Sequence, residues 1–330
     1  MKMAANRMLF LLLGFVLLGS INFLQAAEAM KDSDGDGVPD DYDLFPCDPE
    51  KAALLYAPSQ SGHGMLALEG EWPRAGNLDF NDAVVTYNYV FFLDALNRAV
   101  EMRATFNALA MGGEGNFGIA LQLPVSEEEI ASVTRRIGAG AKEKHYYSPE
   151  GLATVMVISE NIRELFNFKQ GLINAEPEAE IASGAPVELA IKFNPPILLD
   201  TGEAPYDLYF FKTENYGHQI HLPKYPGTSD MDISLFKTYD DGSDKNRYFV
   251  DSYGVPFVLH IPEIAPWTEE GTPIDRLFPM IIQFALSGGE RWKAFYRYPV
   301  VKKKAWHSGE FIPEPQFAAP QTMEIDNSCL

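Results

Sequence analysis

The sequence predicts a mainly β protein, with a β-sandwich or jelly-roll-like body and a few short helices, preceded by a short acidic segment. Three observations support this fold class. Aromatic residues make up 12% of the 330 residues and hydrophobic residues 46%, enough to build a core. Short apolar or alternating runs recur between Gly, Pro, Asn and Asp residues, as in all-β folds. Signals for the start and stop of helices are few.

Five runs have the length and composition of β-strands. Each is short, rich in β-branched or aromatic residues, and bounded by residues that favour turns. They are residues 84–92, 153–159, 187–193, 207–212 and 255–262. Many short strands of this kind indicate a sandwich or a jelly roll.

Two segments carry helix signals. Ser126 and Glu129 have the spacing of a capping box and Gly138 is placed as a stop, so a helix is expected between them. The run at residues 273–286 predicts a second helix, which Pro279 should break or kink.

The first 29 residues have the features of a signal peptide. Lys2 and Arg7 precede an apolar run at residues 8–18, and Ala27-Glu28-Ala29 offers an A-x-A cleavage site. The run is shorter than the ~20 residues of a membrane span, and an uncleaved anchor is the alternative. Ser20 stands where a lipoprotein would carry its cysteine. We expect an exported, unlipidated protein, periplasmic, on the outer surface or extracellular, with no membrane span after cleavage.

The charge and the domain organisation follow from the composition. A formal net charge of -20 argues against nucleic acid and anionic membranes as partners, and it suits divalent cations. One boundary is predicted near Ala57. It separates an acidic loop and linker at residues 30–56, after the signal peptide at 1–29, from a single β-rich body at 57–330.

Cys47 and Cys329 are the two cysteines of the chain. In an oxidising compartment they could pair and tie the C-terminal segment to the acidic segment; alternatively, both are free or form intermolecular bridges. The sequence leaves these alternatives open because it fixes no Cα separation.

The stretch DSDGDGVPDDYD at residues 32–43 places its acids at the ligand offsets of a calcium loop. They fall at positions 1, 3, 5, 9 and 12 of a twelve-residue loop, with Gly37 at the sharp-turn position 6. Hard oxygens without a neighbouring Cys or His select Ca²⁺. The predicted ligands are the side chains of five aspartates and one backbone carbonyl: Asp32, Asp34, Asp36, Val38, Asp40 and Asp43. A solvated acidic linker is the alternative.

This pattern resembles the calcium repeat of thrombospondin type 3 domains, whose loops bind Ca²⁺ without helical arms. Asp43 is shorter than the glutamate that ends an EF-hand loop, and Pro39 and Phe45-Pro46 leave no helix at the exit. The resemblance implies Ca²⁺ as the cofactor.

The next stretch, LEGEWPRAGNLDFNDAVVTYNY at residues 68–89, resembles the signature of the LruC-domain family of exported bacterial proteins. The similarity continues in YGHQIHLPKYPGT (216–228), VPFVLHIPE (255–263) and FPMIIQFALSGGERWKAFY (278–296). It covers roughly residues 32–296, and the DFND and SGG blocks are its most specific parts. The resemblance implies export and a calcium loop before the domain, but it implies no reaction.

A second group of oxygen-bearing side chains lies within this stretch. Asn77, Asp79 and Asn81 alternate along the backbone, and Asp82 opens an apolar strand. With Glu69 they predict a second Ca²⁺ site at the entrance of the strand. The alternative is that these residues cap turns through hydrogen bonds to their own backbone.

The sequence gives no positive sign of an enzyme. It contains no G-x-S-x-G motif and no glycine loop for phosphate. His218 and His221 form H-x-x-H, a spacing that on a strand does not bring both rings to one face. They are interpreted as structural, and His260 as a packed strand residue. We therefore assign no catalytic residue.

Three functions remain, in order of preference. The first is a calcium-stabilised envelope or surface protein that binds another macromolecule, such as a cell-surface glycan or protein. The second is a carbohydrate-binding β-sandwich module, which exposed aromatic residues lining a groove would favour. The third is a metal-assisted hydrolase, which a pair of acids about 5–10 Å apart in a cleft would favour.

Overall fold

A computed structural model of the chain describes residues 30–140, 143–144, 147–150, 153–176, 180–198, 204–300, 305–306 and 328–329. The predicted signal peptide lies outside these residues. The strands are numbered along the chain. They are β1 (Ala53–Ala57), β2 (Gly64–Leu68), β3 (Ala83–Leu93), β4 (Ala99–Ala110), β5 (Phe117–Leu123), β6 (Ile130–Ile137), β7 (Glu143–Lys144), β8 (Tyr147–Glu150), β9 (Ala153–Ser159), β10 (Val187–Ile197), β11 (Asp207–Lys212), β12 (Asn215–Ile220), β13 (Val258–Ile261), β14 (Trp267–Thr268) and β15 (Ala305–Trp306).

Most strands form two antiparallel sheets. The larger sheet has eight strands in the order β13-β2-β3-β4-β10-β6-β7, and β1 pairs with β3 beyond the end of β2. The smaller sheet has five strands in the order β12-β11-β5-β9-β8. Strands β14 and β15 form a separate pair. The predicted β-sandwich is confirmed.

The main core lies between the two sheets. Side chains of β2 alternate, so that Leu66 and Leu68 join this core, whereas Met65 and Ala67 join a second cluster on the opposite face. Both faces of the larger sheet are therefore covered, and this explains why every residue of β2 is buried.

Short helices and irregular segments cover the second face of the larger sheet. The α-helix α1 (Ile281–Leu286) contributes Ile281 to this second cluster, beside Trp267 and Phe278. The described 3₁₀-helices are Glu127–Glu129, Ile162–Leu165, Ile233–Leu235, Ile274–Arg276 and Phe295–Arg297.

The five predicted strands are present, as β3, β9, β10, β11 and β13. The helix predicted between Ser126 and Gly138 was wrong. The capping box exists, since the Glu129 carboxylate accepts from the Ser126 amide at 2.8 Å, but it caps only one 3₁₀ turn. The next residues form β6, because the β-branched Ile130 and Val133 pack in the main core and the strand pairs with β10.

The second predicted helix is present in two pieces. A 3₁₀ turn at Ile274–Arg276 and helix α1 flank Pro279, so the break falls where the proline predicted it.

The acidic segment is joined to the body. Strand β1 precedes the predicted boundary at Ala57, yet it pairs with β3 along its length. Phe45 is buried with its ring 5.8 Å from that of Phe92 on β3. A disulfide links Cys47 to Cys329, with Cα atoms 5.7 Å apart.

Candidate metal centres

The acidic loop curls around its own aspartates. Gly35 and Gly37 adopt positive φ angles of 80° and 100°, which L side chains rarely adopt, and this lets the chain turn sharply. Asp32 accepts hydrogen bonds from the amides of both glycines, at 2.7 and 3.1 Å. Asp34 and Asp36 each use one oxygen to accept a hydrogen bond from the amide two residues ahead. The backbone therefore holds both oxygens of Asp32 and one oxygen each of Asp34 and Asp36, and it leaves Oδ2 of Asp34 and of Asp36 without a hydrogen bond.

Oxygens of the three carboxylates converge. Asp32, Asp34 and Asp36 each place one carboxylate oxygen within 4.8 Å of the others. The Oδ2 atoms of Asp34, Asp36 and Asp43 are buried and accept no hydrogen bond. Burial, followed by the charges of Asp36, Asp34 and Asp32, raises the pKa of Asp43 against the opposing effect of the Phe45 amide. Three carboxylates thus converge, and Asp43 lies within reach of their charges.

Asp40 and Val38 have different surroundings. Asp40 accepts hydrogen bonds from the Ser33 amide at 2.7 Å and the Ser33 hydroxyl at 2.8 Å, and it lies 3.3 Å from the Lys31 ammonium. It braces the loop rather than facing the other acids. The Val38 amide donates to Asp36 at 2.7 Å, and the role of its carbonyl stays a prediction.

A second set of acids, which we call the inner cluster, lies at one end of the larger sheet. Glu69 directly follows β2 and Asp82 directly precedes β3. Because these strands pair antiparallel, with Leu68 opposite Ala83, the two acids are brought to the same end. Glu270 reaches this end from the segment after β14, where Asn77 donates to its Oε1 at 3.1 Å.

Asp79 and Asn81 join these segments. The Asp79 carboxylate accepts from the amides of Asn81, at 3.3 Å, and Gly271, at 2.8 Å. Its backbone carbonyl accepts from the Thr268 hydroxyl at 2.6 Å. The Asn81 side chain donates to the Thr268 carbonyl at 3.2 Å. These bonds hold the loop before β3 against the loop after β14.

Several oxygens of the inner cluster are buried without a hydrogen bond. They are both carboxylate oxygens of Glu69, Oδ1 of Asn81 and Oε2 of Glu270. Glu69 and Asn81 are themselves 0% exposed. Unsatisfied acceptors this deep are costly unless a proton or a cation meets them.

The carboxylates of the inner cluster shift one another's titration. Burial, and then the charges of Asp82 and Asp79, raise the pKa of Glu69 to about 9. Burial, and then the charges of Asp79 and Asp82, raise the pKa of Glu270 to about 7. Burial raises the pKa of Asp82 to about 6 despite the hydrogen bond from the Gly70 amide. The site therefore attracts positive charge.

Sequence reasoning missed Glu270. It lies in an unremarkable TEEGT stretch, and only the fold brings it 193 residues back along the chain to Asn77.

The histidines have ordinary structural partners. His221 is fully buried between Asp207, at 2.8 Å, and Gln219, at 3.0 Å. His218 bonds the Trp72 carbonyl at 2.7 Å, and His260 bonds the Tyr87 hydroxyl at 2.8 Å. The interpretation of these histidines as structural residues agrees with these contacts.

The fold and the two sites together define an antiparallel β-sandwich with three converging acids in a loop and a second, buried group of acids. The chain belongs to the family described as a domain of unknown function (DUF4842), whose model matches residues 97–296. No curated protein matches the chain. None of the helices in the part of the chain that the structure describes is long and apolar enough to cross a membrane.

A solved crystal structure has a similar fold. It is described as a "putative lipoprotein" from Bacteroides ovatus and is 16% identical to this chain, with a TM-score of 0.57. The similarity covers 76% of this chain and 75% of that one. At this identity the likeness shows the shared fold.

Proposed function

We propose that the protein is an exported, non-enzymatic calcium-binding protein of the bacterial envelope or cell surface, with a sandwich that binds another macromolecule. One observation carries the calcium assignment. The acidic loop brings oxygens of Asp32, Asp34 and Asp36 within 4.8 Å, and the buried, unpartnered Oδ2 of Asp43 lies within their electrostatic reach.

The chemistry of the loop favours Ca²⁺. Two like charges about 4 Å apart repel by roughly 1 kcal/mol in water and about 4 kcal/mol near a protein surface. A bound divalent cation replaces this repulsion with attraction. Carboxylate oxygens without sulfur or nitrogen ligands suit a hard cation that accepts six to eight oxygens. Asp32, Asp34, Asp36 and Asp43 are the proposed side-chain ligands, with the Val38 carbonyl. Asp40 acts through the loop conformation.

Four observations support an exported location. The first 29 residues have the pattern of a signal peptide, and the sequence resembles the LruC-domain family. The disulfide between Cys47 and Cys329 suits an oxidising compartment. The similar Bacteroides ovatus protein is described as a lipoprotein. Because Ser20 replaces the lipobox cysteine in this chain, we propose export without an acyl chain.

A calorimetric titration tests the calcium assignment. The protein purified after export is freed of metal with chelator and titrated with Ca²⁺. We expect Asp36→Ala to lose one bound Ca²⁺ per chain. Asp41→Ala is the matched control, because Asp41 is an exposed acid of the same loop at a non-ligand offset. Unchanged stoichiometry and affinity in Asp36→Ala would contradict the assignment.

Carbohydrate binding is the second candidate for the partner. Trp292 and Tyr298 are 49% and 63% exposed, and their rings lie perpendicular with centroids 6.5 Å apart. Exposed aromatic faces of this kind can stack on sugar rings. A glycan array on the calcium-loaded protein, with Trp292→Ala as the variant, compares this candidate with protein binding. A glycan signal that survives Trp292→Ala would argue against this surface.

A further inference from the structure

We propose that the inner cluster is a second divalent-cation site, in which Asn81 Oδ1 and Glu270 Oε2 are the ligands, Asp79 is a positioning residue, and the buried carboxylates of Glu69 and Asp82 add negative charge. The occupant is a hard cation of the calcium type. This inference does not rest on the acidic loop, because the two sites share no residue.

The orientation of the Asn81 amide is fixed by its neighbour. Its Nδ2 donates to the Thr268 carbonyl at 3.2 Å, and a carbonyl oxygen can only accept. Reversing the amide would set two acceptors against each other, so Oδ1 is the atom on the open side. Oδ1 has no hydrogen-bond donor there, although Asn81 is fully buried.

Two glycines lie against these oxygens. A Cβ added to Gly112 would overlap Asn81 Oδ1 and come 2.9 Å from Glu270 Oε2. The two oxygens, both acceptors, thus border the same point. A Cβ on the adjacent Gly113 would overlap Asp82 Oδ1. Because these two residues have no Cβ, the oxygens of Asn81, Glu270 and Asp82 can approach the Gly112–Gly113 backbone closely.

A single proton does not satisfy this arrangement. A proton on Glu270 would let its carboxyl group donate to Asn81 Oδ1, but both Glu69 oxygens would still be buried without a donor. The charges of Asp82 and Asp79 also act on the Glu69 carboxyl group. Among the described residues no ion pair neutralises any of these acids. A carboxylate oxygen and an amide oxygen, with further buried negative charge beside them, are of the kind that Ca²⁺ prefers.

Asp79 has a different role in the site. Both of its oxygens accept amide hydrogens, from Asn81 and Gly271, so it holds the two ligand-bearing loops in register. A bound cation would clamp the loop after β14 to the loop before β3. The site thus fastens the layer that covers the second face of the larger sheet.

The test counts bound Ca²⁺ in the protein purified after export, by titration calorimetry and by elemental mass spectrometry after dialysis. We expect two ions in the parent, one in Asp36→Ala, and none in the double variant Asp36→Ala/Glu270→Gln. Glu270→Gln keeps the shape, and its amide can donate to Asn81, so the fold should survive. Glu269→Gln is the matched control, because this neighbouring carboxylate accepts from Thr272 instead. Circular dichroism verifies the fold of each variant.

Each outcome is informative. One ion in the parent and none in Asp36→Ala would overturn the second site and leave the loop site intact. One ion in both would support the second site and overturn the loop site. If Glu270→Gln in the Asp36→Ala background retains one ion, the ligand assignment is wrong. Glu69→Gln, which removes a fully buried charge of the cluster, checks that result independently.

Discussion

Buried polar side chains in the sandwich are matched with one another. The Trp72 indole donates to Asp241 at 3.0 Å, and the Tyr87 hydroxyl meets the His260 ring at 2.8 Å. Removing one partner of such a pair leaves the other unsatisfied, at a cost of about 1–3 kcal/mol. Exceptions among the described residues include Gln122 Oε1, Gln219 Nε2 and Asp275 Oδ1, and several oxygens of the two acidic sites. The oxygens of the acidic sites differ from the other three because they belong to groups of acids that act on one another, and this is why they, and not the histidines, point to ligands.

His260 should make the stability of the protein depend on pH. Burial, with a smaller contribution from Lys224, lowers the pKa of His260 to about 4. The unfolded chain binds the proton near pH 6.5, so the free energy of unfolding falls as the pH drops from 6.5 towards 4. We expect a loss of up to about 2 kcal/mol between pH 7 and pH 5 from this residue.

Urea denaturation at pH 7, 6 and 5 measures this dependence. His260→Gln keeps an acceptor for Tyr87 and does not titrate, so its stability should fall less over the same interval. Equal pH dependence in the variant and the parent would rule out His260 as the source.

At the scale of elements, local pattern predicted strands better than helices. Strands β3 and β11 are recognisable because their aromatic and β-branched runs lie between turn residues. The capping box at Ser126 and Glu129 formed as predicted, but a single cap is worth about 1 kcal/mol. Pairing of β6 with β10 outweighs that local preference.

The two acidic sites also differ in how far the sequence alone predicts them. The proximity of Asp32, Asp34 and Asp36 follows from spacing within one loop. The proximity of Glu69 and Asp82 could be predicted only from the pairing of β2 with β3. Glu270 could not be predicted, because nothing in its neighbourhood signals a contact with a loop so distant in sequence.

The docking of the acidic loop should couple calcium to the stability of the body. Ca²⁺ that binds only the folded form adds about 2.7 kcal/mol at a hundredfold excess over Kd. Phe45, 7% exposed, is the apolar contact between the loop and Phe92. Calcium should raise the melting temperature of the parent, and Asp36→Ala should remove part of that rise. The part that Asp36→Ala removes should be smaller in the Phe45→Ala background.

Thermal melting with Ca²⁺ and with chelator gives this comparison as a double-mutant cycle. Phe168→Ala is the control, because Phe168 is 55% exposed and lies outside the loop. Identical melting curves with calcium and with chelator in the parent would show that the loop is thermally uncoupled from the body.

At the scale of the molecule, three layers are held together by apolar packing and one long-range covalent link. The main core joins the two sheets, and a second cluster joins the larger sheet to the short helices. The disulfide spans a sequence separation of 282 residues and ends beside the acidic loop. It restrains the unfolded chain over almost the whole body.

Removing this disulfide should lower stability substantially. The chain-entropy relation gives about 5.6 kcal/mol for a closed loop of this size. We expect the double variant Cys47→Ser/Cys329→Ser to show that loss in urea denaturation, with its calcium stoichiometry unchanged. An unchanged denaturation midpoint would mean that the link does not restrain the unfolded state.

The same link has a consequence for the order in which the protein is made. Cys47 and Cys329 are 282 residues apart, and ribosomes add about 5–20 residues per second, so roughly 15 to 60 seconds pass between the two thiols. Throughout that interval Cys47 has no second cysteine of its own chain to pair with, while the described strands of both sheets are synthesised. The bond can therefore close only on a chain made as far as residue 329, and any shorter fragment is marked by a thiol at position 47 that maleimide reagents would label.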